Sequence, residues 1–83
     1  MGDTQFFSDQ KVIGFKQTKR AILQGKVKEV YIASDLDAYI KKEILQLCRE
    51  NGITVKTLNL TKHELGKLVQ IEVGASVIAN LKS

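Results

Sequence analysis

Apolar positions along the chain alternate between short dense runs and longer periodic ones. Val27 and then Val30 to Ala33 form a compact β-branched and aromatic stretch that stops at Ser34-Asp35, as a buried central strand does. Leu36, Ile40, Ile44 and Leu47 then recur at helical spacing until Asn51-Gly52. This predicts an amphipathic helix capped by Ser34 or Asp35, with Asp37 in its first turn. Ile53 to Leu58 begins as an alternation, Ile-Thr-Val-Lys, and reads as a second strand. Thr61-Lys62-His63-Glu64 has the Thr-x-x-Glu spacing of a capping box and opens a short helix through Leu68. Ala75 to Leu81 is a further strand. Upstream, Gln17 to Gln24 reads as a helix closed by Gly25 at its C′ position. Gly14 sits at the turn leading into that helix, and Lys11 to Gly14 adds a short strand.

Strands that alternate with helices imply right-handed crossovers and a sheet covered on both faces. The expected fold is therefore α/β, a three-layer α/β/α sandwich with a mixed sheet of about four strands. Residues 1–10 read as a frayed or helical lead-in, and with no repeat, linker or low-complexity stretch the whole of 1–83 is one domain. Eighty-three residues, 43% hydrophobic and 27% charged, suffice for one small core and exclude both a large enzyme and a disordered tail. Monomer is the expectation, since no apolar stripe is left over.

The longest uninterrupted apolar stretch is Val30-Tyr31-Ile32-Ala33, far short of the ~18 residues of a membrane span. The start, Met1-Gly2-Asp3-Thr4, has neither the basic nor the apolar region of a signal peptide, and Phe6 occupies the position where a myristoylation signal wants Ser or Thr. A single cysteine, Cys48, forms no internal disulfide, in keeping with a reducing compartment. A cytoplasmic location follows as the expectation.

Charge sharpens the picture. Thirteen Lys and Arg against nine Asp and Glu give +4. Lys11, Lys16, Lys19, Arg20, Lys26 and Lys28 fall in one window that holds no acid, so this window carries +6; the remaining seven cations against nine acids leave −2. Such a window is either a solvated face or the footprint of an anionic partner.

Catalytic chemistry finds few candidates. His63 lies within the capping box as an exposed histidine, Cys48 lies in the long helix as a small buried hydrophobe, and Asp35 and Asp37 are accounted for by capping. No zinc-ligand spacing, Gly-x-x-x-x-Gly-Lys-Ser/Thr or Gly-x-Gly-x-x-Gly occurs, so no catalytic residue, metal or cofactor is expected. What remains is Gly14 followed at once by a helix carrying Lys16, Gln17, Lys19 and Arg20. At ~100° per residue, Lys16, Gln17 and Arg20 share an arc of about 100°, while Thr18, Ala21 and Ile22 fall away from it and Leu23 does not obey the pattern. A helix N-terminus offers free N–H groups to phosphate, cations release counterions, and Gln17 or Arg20 can read base edges. Ile71 and Val73, flanking Glu72 between a helix end and a strand start, have two readings: the beginning of the last strand, or an apolar shelf for an unstacked base.

Gly14-Phe15-Lys16-Gln17-Thr18-Lys19-Arg20, the stretch Val30-Tyr31-Ile32-Ala33-Ser34-Asp35-Leu36-Asp37, and the segment from Leu65-Gly66 to Ile71-Glu72-Val73 together resemble the L-seven-Ae family of ribosomal proteins. The match runs from about Lys11 to Ala79 and is most similar to the small bacterial, YbxF-type branch, whose members bind kink-turn RNA. Archaeal and eukaryotic members begin this helix Gly-x-Asn-Glu-x-x-Lys; here Lys16 and Gln17 stand for Asn and Glu, and Arg20 for Lys. The resemblance implies that Lys16, Gln17 and Arg20 enter the widened groove beside the kink and meet tandem sheared G·A pairs. It also implies that Ile71, Glu72 and Val73 pack on the looped-out nucleotide, and that Gly14 lets the backbone approach. Lys19, Lys26 and Lys28 complete the expected RNA-binding set. Gln70 departs from the family's usual glycine, which bears on the shape of the reading loop, and Ala38 from a frequent proline, which bears on how the helix begins.

The expected function is thus non-catalytic recognition and stabilisation of a kink-turn in ribosomal or regulatory RNA, with the ribosome as a further partner and no membrane. The alternative is a protein-interaction module of a ribosome-associated complex that uses the loop at residues 71–73.

Overall fold

Val30, Tyr31 and Ile32 are successive residues of one strand and all are buried, so both faces of that strand must be covered. The computed structural model describes residues 10–82 and shows how. Four strands, β1 (Lys11–Ile13), β2 (Val27–Ile32), β3 (Thr54–Thr57) and β4 (Val77–Leu81), form one sheet in the order β1-β4-β2-β3. Three helices, α1 (Phe15–Leu23), α2 (Ala38–Glu50) and α3 (Lys62–Leu68), fall between them in chain order. Val30, Ile32, Val77 and Ala79 point to one side and pack with Ala21 and Ile22 of α1 and Ile44 and Cys48 of α2. Tyr31 and Ile78 point to the other and pack with Leu65 of α3, Ala33 and Ala75. The result is the expected α/β/α sandwich on a mixed four-stranded sheet. The lead-in expected at residues 1–10 lies, apart from Gln10, outside the described residues. No helix among the described residues is long and apolar enough to cross a membrane.

Strand direction organises everything else. β1 and β2 each run antiparallel to β4, and β3 runs parallel to β2. β1, β2 and β3 therefore all end on the same side of the sheet, and the three helices that follow them all begin there.

The helix starts differ in detail from expectation. α1 begins at Phe15, two residues ahead of Gln17, because Gly14 (φ 110, ψ 155) turns the chain sharply enough to start the helix at once. The cap of α2 is Asp37, whose Oδ1 accepts from the backbone N–H of Tyr39 (2.9 Å) and Ile40 (3.4 Å), so Asp37 is not in the first turn and Leu36 precedes the helix. Ser34 and Asp35, the expected caps, are drawn to the neighbouring loop instead: Ser34 Oγ donates to the Leu60 carbonyl (3.0 Å), and Asp35 Oδ1 accepts from Lys62 N (2.8 Å) at the start of α3. The capping box of α3 forms as the spacing predicts, with Thr61 and Glu64 satisfying one another's backbone N–H groups. Cys48 is buried and His63 exposed; burial pushes the Cys48 thiol up to about 11, which leaves it unreactive near neutrality.

On the α3 side of the sheet, Tyr31 donates its hydroxyl hydrogen to Glu29, which also accepts from Asn80 Nδ2 at 3.1 Å. Burial, reinforced by the Glu29 hydrogen bond, raises the Tyr31 hydroxyl to about 12; that same bond holds the Glu29 carboxyl below its ordinary value. The folded-state value of Tyr31 exceeds the unfolded ~10, so its contribution is complete below pH ~10 and is lost as pH rises towards 12. Glu29 is depressed, so its contribution is present above its unfolded value and lost as pH falls below it. Urea unfolding of wild type and Tyr31→Phe should therefore differ most at neutral pH, with the gap narrowing at both extremes; a gap independent of pH would contradict this coupling.

Within α1, Thr18 is fully buried and its Oγ1 has no hydrogen-bond partner among the described residues. Thr18→Val keeps the shape and removes the unpaired hydroxyl, so it is expected to raise unfolding free energy by about 1 kcal/mol, measured by urea denaturation.

Candidate nucleic-acid interface

The three helix N-termini at one end of the sheet present backbone N–H groups and the positive ends of their dipoles on a shared surface. Gly14 joins α1 to it: its N–H donates to the Val77 carbonyl at 2.8 Å, tying the start of α1 to the start of β4. A φ of 110° excludes most side chains, and a Cβ at Gly14 would stand 3.0 Å from Gln17 Oε1. Ala33 N donates to Ser76 O (2.9 Å), and Ala75 N to Lys62 O (2.9 Å), which brings the loop at residues 69–76 and the start of α3 to the same end.

The cations of α1 divide by their partners. Lys16, Gln17 and Arg20 are exposed, and none of their side chains makes an ion pair or hydrogen bond among the described residues. Lys19 is engaged: its ammonium pairs with Glu43 of α2 at 2.9 Å and lies 6.0 Å from the Phe15 ring centroid. Lys26 and Lys28 are not brought to this end. The Lys26 carbonyl accepts from Lys82 N (2.8 Å) just beyond the far end of β4, and Lys28 is the extra residue of a β-bulge between Val27 and Glu29. The nine residues of α1 separate these two lysines from Gly14, about 13 Å along the helix axis.

The second expected element is a loop. β4 begins only at Val77, so Ile71 and Val73 do not start the last strand. The chain is held back against α3 instead: Ile71 N donates to the Gly66 carbonyl (2.9 Å), and a Cβ at Gly66 would lie 2.5 Å from the Val73 carbonyl oxygen. Only glycine lets this loop cross α3 so closely. Ile71 is half-buried against the α3-side core, Glu72 is exposed, and Val73 is 73% exposed, one of three large apolar side chains left in water among the described residues. Gln70, the departure from the usual glycine, has φ 64°, the only non-glycine with positive φ among the described residues.

Two further apolar side chains are exposed, and of these Tyr39 escaped the sequence reading. Tyr39, 80% exposed, stands on the first turn of α2 at this same end, and its displacement from the stripe Leu36, Ile40, Ile44 and Leu47 was the available signal. Leu23, at the end of α1, is 65% exposed. Asp35 and Asp37, also at this end, are each spent on a helix N-terminus.

Residues 7–83 match the model of the ribosomal protein L7Ae/L30e/S12e/Gadd45 family. The chain belongs to this family. Among its relatives, RNA-binding protein TTE2299 of Caldanaerobacter subterraneus subsp. tengcongensis is 40% identical over 72 residues, covering 87% of each chain. RNA-binding protein YbxF of Geobacillus stearothermophilus is 38% identical over 71 residues, 86% of this chain and 85% of its own. A solved structure described as a protein with unknown function from Bacillus halodurans superposes with a TM-score of 0.82 at 27% identity, over 89% of this chain and 73% of that one. These relatives share the chain's sequence over most of their length, and the solved structure shares its sandwich.

Gly66→Ala forces a methyl into backbone and should cost about 1–3 kcal/mol. Gln70→Gly relieves a left-handed side-chain conformation worth ~1–2 kcal/mol while adding ~0.5–1 kcal/mol of unfolded-chain entropy, so its effect should be a small gain. Urea denaturation of both variants checks the pair, and opposite signs are the expected result.

Proposed function

We propose that this chain is a non-catalytic RNA-binding protein that recognises and stabilises a kink-turn, in ribosomal or regulatory RNA. The observation that carries the reading is convergence: unpaired Lys16, Gln17 and Arg20 on the first turns of α1 share one end of the sheet with the loop holding Ile71, Glu72 and Val73. An A-form major groove is too deep and narrow for side chains, so a helix N-terminus enters only where a kink has opened it. There Lys16 and Arg20 meet phosphates, and the Gln17 amide, both donor and acceptor, meets base edges. Val73, with Ile71 beneath it, gives an extruded nucleoside an apolar surface that the fold leaves unused. The names of the relatives, RNA-binding proteins, support an RNA partner.

Titration of a kink-turn duplex and an unkinked duplex of equal length tests the reading, and equal affinity for both would reject it. Gln17→Ala should reduce the preference by about ten-fold. Lys16→Ala should weaken both and flatten the salt dependence, which falls by a log–log slope of ~0.7–0.9 per phosphate contact. Lys41→Ala, on α2 outside the basic window, should leave both quantities nearly intact.

A further inference from the structure

Leu23 has no structural reason to be where it is. At 100° per residue it lies about 20° from Lys16 and about 60° from Arg20 around α1, opposite the buried Thr18, Ala21 and Ile22, so the core has no access to it. Lys16, Arg20 and Leu23 thus form one outward stripe that runs about 10 Å down the helix from the end where the kink is bound. With Lys19 and Gln24 they line a shallow groove. Lys16 and Arg20 bring uncompensated charge to this groove, whereas Lys19 is already paired with Glu43. An isolated exposed leucine needs no explanation. One that prolongs a row of unpaired cations, beginning at the proposed binding end, has the composition of a sugar–phosphate track, with ammonium and guanidinium for phosphates and an apolar floor for ribose carbons.

We propose that the RNA contact continues past the kink along this stripe, and that the backbone of one flanking stem lies on Arg20 and Leu23, its ribose C–H groups packed on the leucine. The proposal rests on the kink-turn reading and adds to it a second contact that depends on stem length and not on base identity. Gln17 then selects the kink, while Leu23 rewards a helical stem that continues beyond it.

The test is a cycle between protein and RNA. Affinities of wild type, Leu23→Ser and Leu23→Met are measured for a kink-turn RNA with both stems long, and for two RNAs in which one stem or the other is trimmed to the shortest length that still kinks. Leu23→Ser should bind the long RNA about five-fold more weakly, with the loss vanishing for one trimmed RNA only, and Leu23→Met should restore wild-type affinity. Hydroxyl-radical footprinting should show protection of that stem in wild type and its loss in Leu23→Ser. No loss on any RNA, or an equal loss on all three, overturns the proposal. The underlying reading fails separately, when wild type shows no preference for kinked over unkinked duplex; a preserved preference without stem coupling sinks only the stem contact.

Discussion

The direction of β4 is the constraint on which the site depends. It lies between β1 and β2 and runs against both, so these two strands, and β3 beside them, deliver their chains to one end of the sheet. Were β4 parallel to its neighbours, its N-terminus and the loop before it would stand at the opposite end, away from the starts of α1, α2 and α3. The antiparallel arrangement joins three helix N-termini to an apolar loop without any contact having to be built for the purpose. Positive dipole ends, the Gly14 turn and Val73 follow from register.

A loop in this position still needs to be held. Its six residues from Ile71 to Ser76 contain no regular structure, and their shape comes from packing on α3. Gly66 is buried in the middle of that helix, a costly place for glycine by ~1 kcal/mol against alanine. The cost is compensated by the approach of the Val73 backbone and by the Ile71 hydrogen bond to the Gly66 carbonyl. The side chains then sort themselves: Ile71 turns inward to the α3-side core and Val73 outward to solvent. One apolar residue anchors the loop and the other is left free to meet a ligand. Gln70 keeps the left-handed turn at the entrance even without glycine, at the expense of some strain.

Much of this was legible beforehand. Period and caps located every strand and helix within a few residues, because β2 carries the dense apolar run Val30 to Ile32 and α2 and α3 carry strong stop and start signals. Local signals could not tell which carboxylate caps which helix: Asp35 and Asp37 are equally good caps by type, and the choice was made by Lys62, 27 residues away in sequence from Asp35. The status of Ile71 and Val73 stayed open for the same reason, since only the contact with Gly66 keeps them out of β4. Charge was legible as one window in the sequence, and the fold divides that window in space. Lys26 and Lys28 are close to Arg20 in sequence, but a helix and a turn carry them to the far end, and Lys19 points to Glu43.

The acids at this end of the sheet bear on the proposed site as well. A surface meant for phosphate should not carry bare carboxylates, yet Asp35, Asp37, Glu64 and Glu72 all lie near it. Asp35, Asp37 and Glu64 accept from backbone N–H groups at helix starts, where the local dipole offsets their charge. Glu72 has no such partner and stands exposed beside Val73. Facing phosphate, it would repel. Facing an extruded base, its oxygens can accept from exocyclic amino or ring N–H groups, as carboxylates do with cytosine. A free carboxylate next to a free apolar side chain therefore fits the proposed RNA site when the loop meets a base and not a phosphate.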